Sequence, residues 1–208
     1  MSTGTPTPTP ARAAARPREA DLLAAATRLF RQRGFHATSM QDLGEALGMN
    51  RGSLYHYIDS KDDLLWSILS NALDLLLARV EPVLTDDADP ARRLANGIRE
   101  HLHVAADFAE ELSLIQIELR SLTDARRRQM IQRRNAYEDL WRAALNDGIT
   151  SGQFRPDIDV RLAGIGILSA CNWFTQWYRP DGPMSVDQIA DGFIALFLQG
   201  LQSPEVGR

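Results

Sequence analysis

The chain has 208 residues, 44% hydrophobic and 24% charged, with a formal net charge of −4; this fits one large or two small domains with a buried core and excludes a disordered chain or a fibre. Its one cysteine, Cys171, excludes an internal disulfide and any multi-cysteine metal site. The charge is uneven: residues 11–61 carry eight basic and five acidic side chains, a net of +3 that leaves −7 for the rest, and a basic end on an acidic body points to an anionic partner.

Residues 1–10 (MSTGTPTPTP) are Thr/Pro low complexity, expected to be a disordered tail. Arg12, Arg16 and Arg18 follow as a basic arm. No charged segment leads into an apolar run, so no secretory signal is expected and the protein is placed in the cytoplasm. After Pro17, a residue suited to a first helical turn, Leu22, Leu23, Ala26, Leu29 and Phe30 recur at helical spacing. Gly34 is expected to stop that helix in a left-handed conformation. Thr38 then reads as an N-cap with Gln41 three residues on, starting a helix that Gly48 breaks. Met49 and Asn50 form a turn, and Arg51 to Ile58 a further short helix with Leu54 and Tyr57 or Ile58 facing inward. Ser60 caps a long helix from Lys61, with Asp62 and Asp63 in its first turn.

Further helices are expected over 64–83, 92–108, 112–122, 125–150, 160–178 and 185–201. No segment alternates like a strand between hairpin turns, so the fold class is all-α. The longest apolar stretch, Leu162 to Phe174, is interrupted by Ser169 and Asn172 and too short to cross a bilayer. Short helices joined by a glycine turn and followed by a long one have the layout of a helix-turn-helix DNA reader. Asn50, Arg51, Gly52 and Ser53 suit the first turn of a recognition helix: Arg51 can bond guanine O6 and N7, and Gly52 lets the backbone approach. Thr38 and Ser39 offer a hydroxyl and N–H groups to a phosphate at a helix start. Lys61 begins the next helix near the DNA backbone, and is the single lysine beside 22 arginines.

The stretch Gly34-Phe35…Thr38-Ser39…Gly52-Ser53-Leu54-Tyr55-His56-Tyr57…Ser60-Lys61-Asp62-Asp63-Leu64 resembles, over about 45 residues, the N-terminal domain of TetR-family transcriptional regulators. Gly44 and Ile58 depart from it mildly, where a small alanine and an aromatic are usual. The resemblance implies that Tyr55 and His56 contact phosphates. It also implies a division into a tail and arm (1–16), a helix-turn-helix domain (17–62) and a ligand-binding and dimerisation domain (63–203). The expected partners are double-stranded DNA with an inverted-repeat operator, a second copy of the chain and a small-molecule effector; no cofactor, metal or membrane is expected.

In the family the last two helices form a four-helix bundle with their symmetry mates, which puts Ala163, Gly164, Ile167, Phe174, Ile189, Phe193, Ile194 and Phe197 at the dimer interface. Part of each stripe must also serve the internal core. The family's pocket lies among the middle helices, where Trp66, Leu69, His101, Phe108, Ile115, Glu118, Leu119, Tyr137 and Trp141 are candidate linings, with Trp173 and Trp177 as pocket or interface. The block from Asn172 to Ser185 is similar to a subgroup with members that sense acyl-CoA thioesters. Arg120, Arg127 and Arg134 are either solvated surface arginines or contacts to a CoA phosphate, with an apolar drug or free acid as the alternative ligand. A rival reading is a helical small-molecule-binding or enzymatic protein with a vestigial reader. Against an enzyme, His101 and His103 do not share a helix face, Cys171 reads as a small buried residue, and no glycine-rich phosphate loop, HExxH or GxSxG is present.

Overall fold

The structure is a computed structural model and describes residues 19–202, apart from the Arg51 side chain. The tail, the basic arm and Pro17 lie outside the described residues. Among those described, the chain forms helices α1 (Glu19–Arg33), α2 (Met40–Ala46), α3 (Arg51–Leu54), α4 (Lys61–Leu84), α5 (Pro90–Asp107), α6 (Ala109–Ile117), α7 (Asp124–Thr150), α8 (Val160–Trp177) and α9 (Val186–Leu201), with a 3-10 turn at Leu119–Ser121. They include no strand, only an isolated bridge between Phe154 and Gln202. The all-α expectation is met. No described helix is long and apolar enough to cross a membrane.

Glycine sets the boundaries where a left-handed residue is needed: Gly34 has φ +82° and Gly48 φ +65°, values that cost glycine little and a side chain much. The cap of α2 is one residue later than the spacing predicts. Ser39, not Thr38, is the N-cap, and its partner is Asp42, not Gln41. The reason is local competition for the Thr38 hydroxyl, which is buried and donates to the Gly34 carbonyl at 2.9 Å. Gln41 instead donates to Glu45 on the exposed face.

Two expected helices are shorter in the structure. The one predicted to reach Ile58 ends at Leu54, which is buried; of the two residues expected to face inward beyond it, Ile58 packs partly buried against the core and Tyr57 is 40% exposed. The one predicted over 112–122 starts earlier and stops at Ile117, with the 3-10 turn beyond it.

Helix α4 is the axis of the molecule. Its first turns (Leu64, Leu65, Ile68) and its last (Val80, Leu84) belong to one hydrophobic cluster that runs from Leu22 in α1 to Leu201 in α9. The expected boundary at 62/63 therefore falls in the first turn of a continuous helix. Helices α5, α6 and α7 pack along α4, and α5 in turn carries α8 and α9.

The α7–α8 connection is held by close approach. A side-chain carbon added at Gly148 would lie 2.0 Å from the ring of Phe154, which is 1% exposed. The Arg155 N–H bonds the Leu201 carbonyl at 2.9 Å, tying the same loop to the end of α9. Gly148→Ala must therefore displace a fully packed ring. The expected loss is about 1–3 kcal/mol in urea unfolding; wild-type stability would mean that the loop repacks without cost.

Candidate nucleic-acid interface and effector cleft

The reader is built around the turn between α1 and α2. Phe35 is buried there, edge-on to Phe30 with ring centroids 5.2 Å apart. The Lys61 ammonium sits 4.3 Å over the Phe35 ring and donates to the carbonyls of Phe35 and Thr38, each at 2.6 Å. Lys61, expected at the DNA backbone, thus spends two of its three N–H donors holding the turn. Thr38, expected at a phosphate, is turned inward with its hydroxyl satisfied.

Ser39 is exposed but committed: its N–H and hydroxyl both donate to the Asp42 carboxylate, at 2.7 and 2.5 Å. Those bonds hold the Asp42 carboxyl below its usual range, the Ser39 hydroxyl first and Arg33 last. Asn50 caps α3, its Oδ1 accepting the Ser53 N–H at 2.8 Å and leaving its amide N–H donors outward. Gly52, Tyr55 and His56 are exposed on that side, and Ser53 is half-buried. Tyr57, expected in the core, joins them at the surface, whereas Leu43 and Leu54 are fully buried as expected. What the Arg51 side chain does lies outside the described residues.

The second candidate site is a small cleft between α4, α6, α7 and α8, with an internal volume of about 40 Å³. Leu73, Leu76, Leu112, Ile115 and Leu168 make it apolar, and Gln116, Arg134, Tyr137, Glu138 and Asn172 add polar groups. Of the residues expected there, Ile115 and Tyr137 line it. Leu69, His101 and Trp141 are packed in the core instead. Trp66 carries Arg126 over its ring, at 5.8 Å, and Phe108 and Leu119 pack partly buried against the core. Glu118 turns away to the reader, where it accepts the Phe35 N–H at 3.0 Å. Trp173 and Trp177 are 63% and 40% exposed on the outer side of α8. Of the three arginines considered, Arg120 is exposed, Arg127 pairs with Asp124, and Arg134 lines the cleft. The lining escapes sequence reading because it is chosen by the crossing of four helices, not by any spacing within one.

Beside the cleft lies a buried polar cluster. The Tyr137 hydroxyl and His101 Nδ1 are 2.9 Å apart, while among the described residues nothing meets His101 Nε2 or Trp141 Nε1 at full hydrogen-bond geometry. Burial pushes the His101 imidazole down to about 4, with the Asn172 side chain opposing, and raises the Tyr137 phenol. It pushes the Cys171 thiol up to about 12, so the buried thiol is not ionised at neutral pH. His103, two residues from His101, points elsewhere and pairs with Asp187 on α9.

The outer face of α8 and α9 is apolar and unpartnered. Leu162 and Leu196 are each 67% exposed and Ile165 44%, beside a groove lined by Ala163, Gly166, Ile167, Leu196, Phe197 and Gly200. Several residues expected at an interface are instead committed inward. Gly164 lies against Arg142 and Leu145, Phe174 stacks on Tyr178 at 4.4 Å, and Ile189 is buried. Ile167 is buried as well, although it lines the groove. Ala163, Phe193, Ile194 and Phe197 are half-buried along the edge. Leu162, Ile165 and Leu196 fall off the three- and four-residue spacing that picks out the stripe.

Comparison with known proteins agrees with both halves of the molecule. Residues 22–68 match the family model of bacterial regulatory proteins of the tetR family, and residues 87–201 the model of a tetracyclin repressor-like C-terminal domain. The chain is 32% identical over 185 residues to the HTH-type transcriptional repressor KstR2 of Mycobacterium tuberculosis, covering 88% of this chain and 92% of that protein. It is similar to the solved structure of the ketosteroid transcriptional regulator KstR2 of Mycobacterium tuberculosis, with TM-score 0.84, 30% identity, and 91% and 97% of the two chains covered. It is also similar to AibR in complex with isovaleryl coenzyme A and operator DNA, with TM-score 0.76, 31% identity, and 84% and 95% covered.

The neutral histidine beside the cleft has a consequence for stability. The folded imidazole stays neutral down to about 4, whereas the unfolded one takes a proton near 6.5. Between those values acid favours the unfolded chain, so this group's contribution is lost as pH falls, by about 2 kcal/mol from pH 7 to 5. Urea unfolding at both pH values is expected to show that His101→Gln removes this part of the acid sensitivity. Equal pH dependence in wild type and variant would refute a neutral buried His101.

Proposed function

The chain belongs to the TetR family of bacterial regulatory proteins, and on that premise we propose that it is a transcriptional repressor that binds an inverted-repeat operator as a homodimer and is released by a small-molecule effector. TetR regulators bind operator DNA, dimerise and bind small-molecule effectors. The observation that carries the reading is the surface left by α2, the glycine turn and α3: its internal polar groups are satisfied by caps, so that Asn50, Gly52, Tyr55, His56 and Tyr57 face outward on a rigid base.

In this reading Arg51 and the Asn50 amide read base edges, while Tyr55 and His56 sit along phosphates and Ser39 caps α2. Lys61 and Thr38 act from behind, as the groups that position the turn. Two copies join through the exposed apolar face of α8 and α9, and a two-fold axis sets the readers one helical turn of DNA apart, about 34–36 Å, or a multiple of it.

The effector we assign to the cleft is an acyl-CoA thioester. Support comes from the apolar wall formed by Leu73, Leu76, Leu112, Ile115 and Leu168, which suits an acyl group. Arg134, half-buried in the same wall and without an ion-pair partner among the described residues, supplies a cation for an anionic group. AibR, named in complex with isovaleryl coenzyme A and operator DNA, is a relative with that ligand class.

The test is a titration of the protein on promoter DNA beside its own gene, followed by matched acyl-CoA and free-acid series. Release by acyl-CoAs is expected. Release by free acids or unrelated lipophiles alone would overturn the thioester assignment and leave the repressor intact. On the same DNA, Arg51→Ala is expected to relax preference at one operator position and to cost about 1–3 kcal/mol. Uniform loss across all sequences would instead make Arg51 a phosphate contact.

Dimerisation is read separately. Leu196→Glu puts a charge on the exposed face without touching the core; sedimentation is expected to shift from dimer to monomer with unchanged helical content. A variant that stays dimeric would move the interface elsewhere.

A further inference from the structure

We propose that the Glu118 carboxylate is the clasp through which the effector cleft sets the pose of the DNA reader, an inference that rests on the ligand-released reading above. Helix α6 is tied to the reader at both ends and faces the cleft in between. At its start Glu110 lies 3.6 Å from Arg31 of α1. In its middle Leu112, Ile115 and Gln116 line the cleft. Just past its end, Glu118 Oε1 accepts the Phe35 N–H at 3.0 Å, and Oε2 accepts the Ser121 hydroxyl at 2.6 Å. Ser121 Oγ in turn lies 3.2 Å from His36 Nε2.

The clasp differs in kind from the surface ion pairs around it. Glu118 is only 9% exposed and Phe35 4%. The Phe35 N–H follows the residue where α1 ends, and no helix supplies it an acceptor; the carboxylate does. A buried N–H deprived of its partner is strongly disfavoured, so the turn must follow Glu118 when it moves.

From Phe35 the connection continues without a gap. Its carbonyl and that of Thr38 hold the Lys61 ammonium. Thr38 precedes the N-cap of α2, and Lys61 begins α4 directly after the α3 turn. A displacement at Phe35 therefore reaches both ends of the α2–α3 unit. On the cleft side, Glu118 is one helical turn from Ile115 and lies where α6 gives way to a 3-10 turn, a junction that can shift without unwinding a longer helix. An effector that wedges α6 away from α7 differs in affinity between the clasped and unclasped states, which is what coupling between two sites requires.

The experiment compares wild type, Glu118→Gln and Glu118→Ala as full-length dimers, with isovaleryl-CoA as the probe. Without probe, Glu118→Ala is expected to bind the operator at least tenfold more weakly and to exchange amide hydrogens faster in residues 34–38. Glu118→Gln keeps an acceptor for the Phe35 N–H and is expected within threefold of wild type. With probe, wild type is expected to lose operator affinity, while Glu118→Ala binds isovaleryl-CoA equally well, read by tryptophan fluorescence, and responds several-fold less. Equal fractional release of wild type and Glu118→Ala would overturn the proposal, as would wild-type operator affinity and exchange in Glu118→Ala.

If isovaleryl-CoA binds neither protein, the thioester reading fails for that probe, and the probe-free arm alone decides the clasp. If Glu118→Ala does not fold, Glu118→Asp draws the acceptor back from the Phe35 N–H by one methylene while keeping the charge. It is expected to weaken operator affinity and release in the same direction, and unchanged values for both would overturn the proposal.

Discussion

The ammonium of Lys61 joins the α1–α2 turn to the start of α4. It lies over the Phe35 ring and donates to two carbonyls of the α1–α2 turn from the first residue of α4. The chemistry explains why this position holds the one lysine in a chain with 22 arginines. A compact ammonium can direct separate donors at two carbonyls while its charge rests on an aromatic face; a planar guanidinium fixes its donors in a fork suited to carboxylates and phosphates. With that contact made, α4 carries the reader as part of its own length, and Leu64, Leu65 and Ile68 extend the reader's core into the rest of the molecule.

The same economy runs through the reader's polar side chains. Ser39, Asn50, Ser60 and Thr38 are residue types that serve either a helix end or a DNA backbone, and in the structure each first satisfies the fold. This is why the location of the reader was legible in the sequence while the role of each residue was not. Hydrophobic spacing and the two positive-φ glycines, Gly34 and Gly48, fixed where helices stop. Whether a hydroxyl caps its own helix or reaches back four residues depends on distances of a few tenths of an ångström, which no spacing encodes. Tyr57 is the same lesson in an apolar residue: its helical phase agreed with Leu54, but α3 ends before that phase can apply.

The C-terminal half illustrates the opposite limit. Its helices were legible nearly end to end, yet its cleft was not, because Leu73, Leu112, Arg134 and Leu168 meet only after four helices cross. The dimer stripe was half legible. On α8, Leu162 and Ile165 lie around the helix from Gly164 and Phe174, and apolar residues occur on both sides, so spacing alone does not say which side meets the chain's own α5 and α7. Exposure separates them. Leu162 and Leu196, each two-thirds exposed and set beside open glycines, form the kind of contiguous apolar patch that a soluble chain keeps for a partner.

Charge is sorted with equal consistency around the cleft. Behind it, His101 is held neutral by burial, the Tyr137 phenol and Cys171 thiol are pushed away from ionisation, and the indole of Trp141 carries no charge at all. Ionic side chains enter only through α7, where Glu138 is already paired with Arg142 and Arg134 is not paired with any described carboxylate. A ligand lodged there meets apolar walls, the uncharged polar groups of Gln116, Tyr137 and Asn172, and a cation with no described carboxylate partner. Such a field disfavours driving a free carboxylate inward, since an unpaired buried anion has no compensating charge behind Tyr137. On the reading proposed above, the acyl end lies against the apolar wall and the negative charge near Arg134. The cleft wall that would receive that acyl end includes Ile115 of α6, one turn from the carboxylate that holds Phe35. Ile115 in the cleft wall and the Glu118 acceptor of the Phe35 N–H thus lie in and just past the last turn of the same short helix.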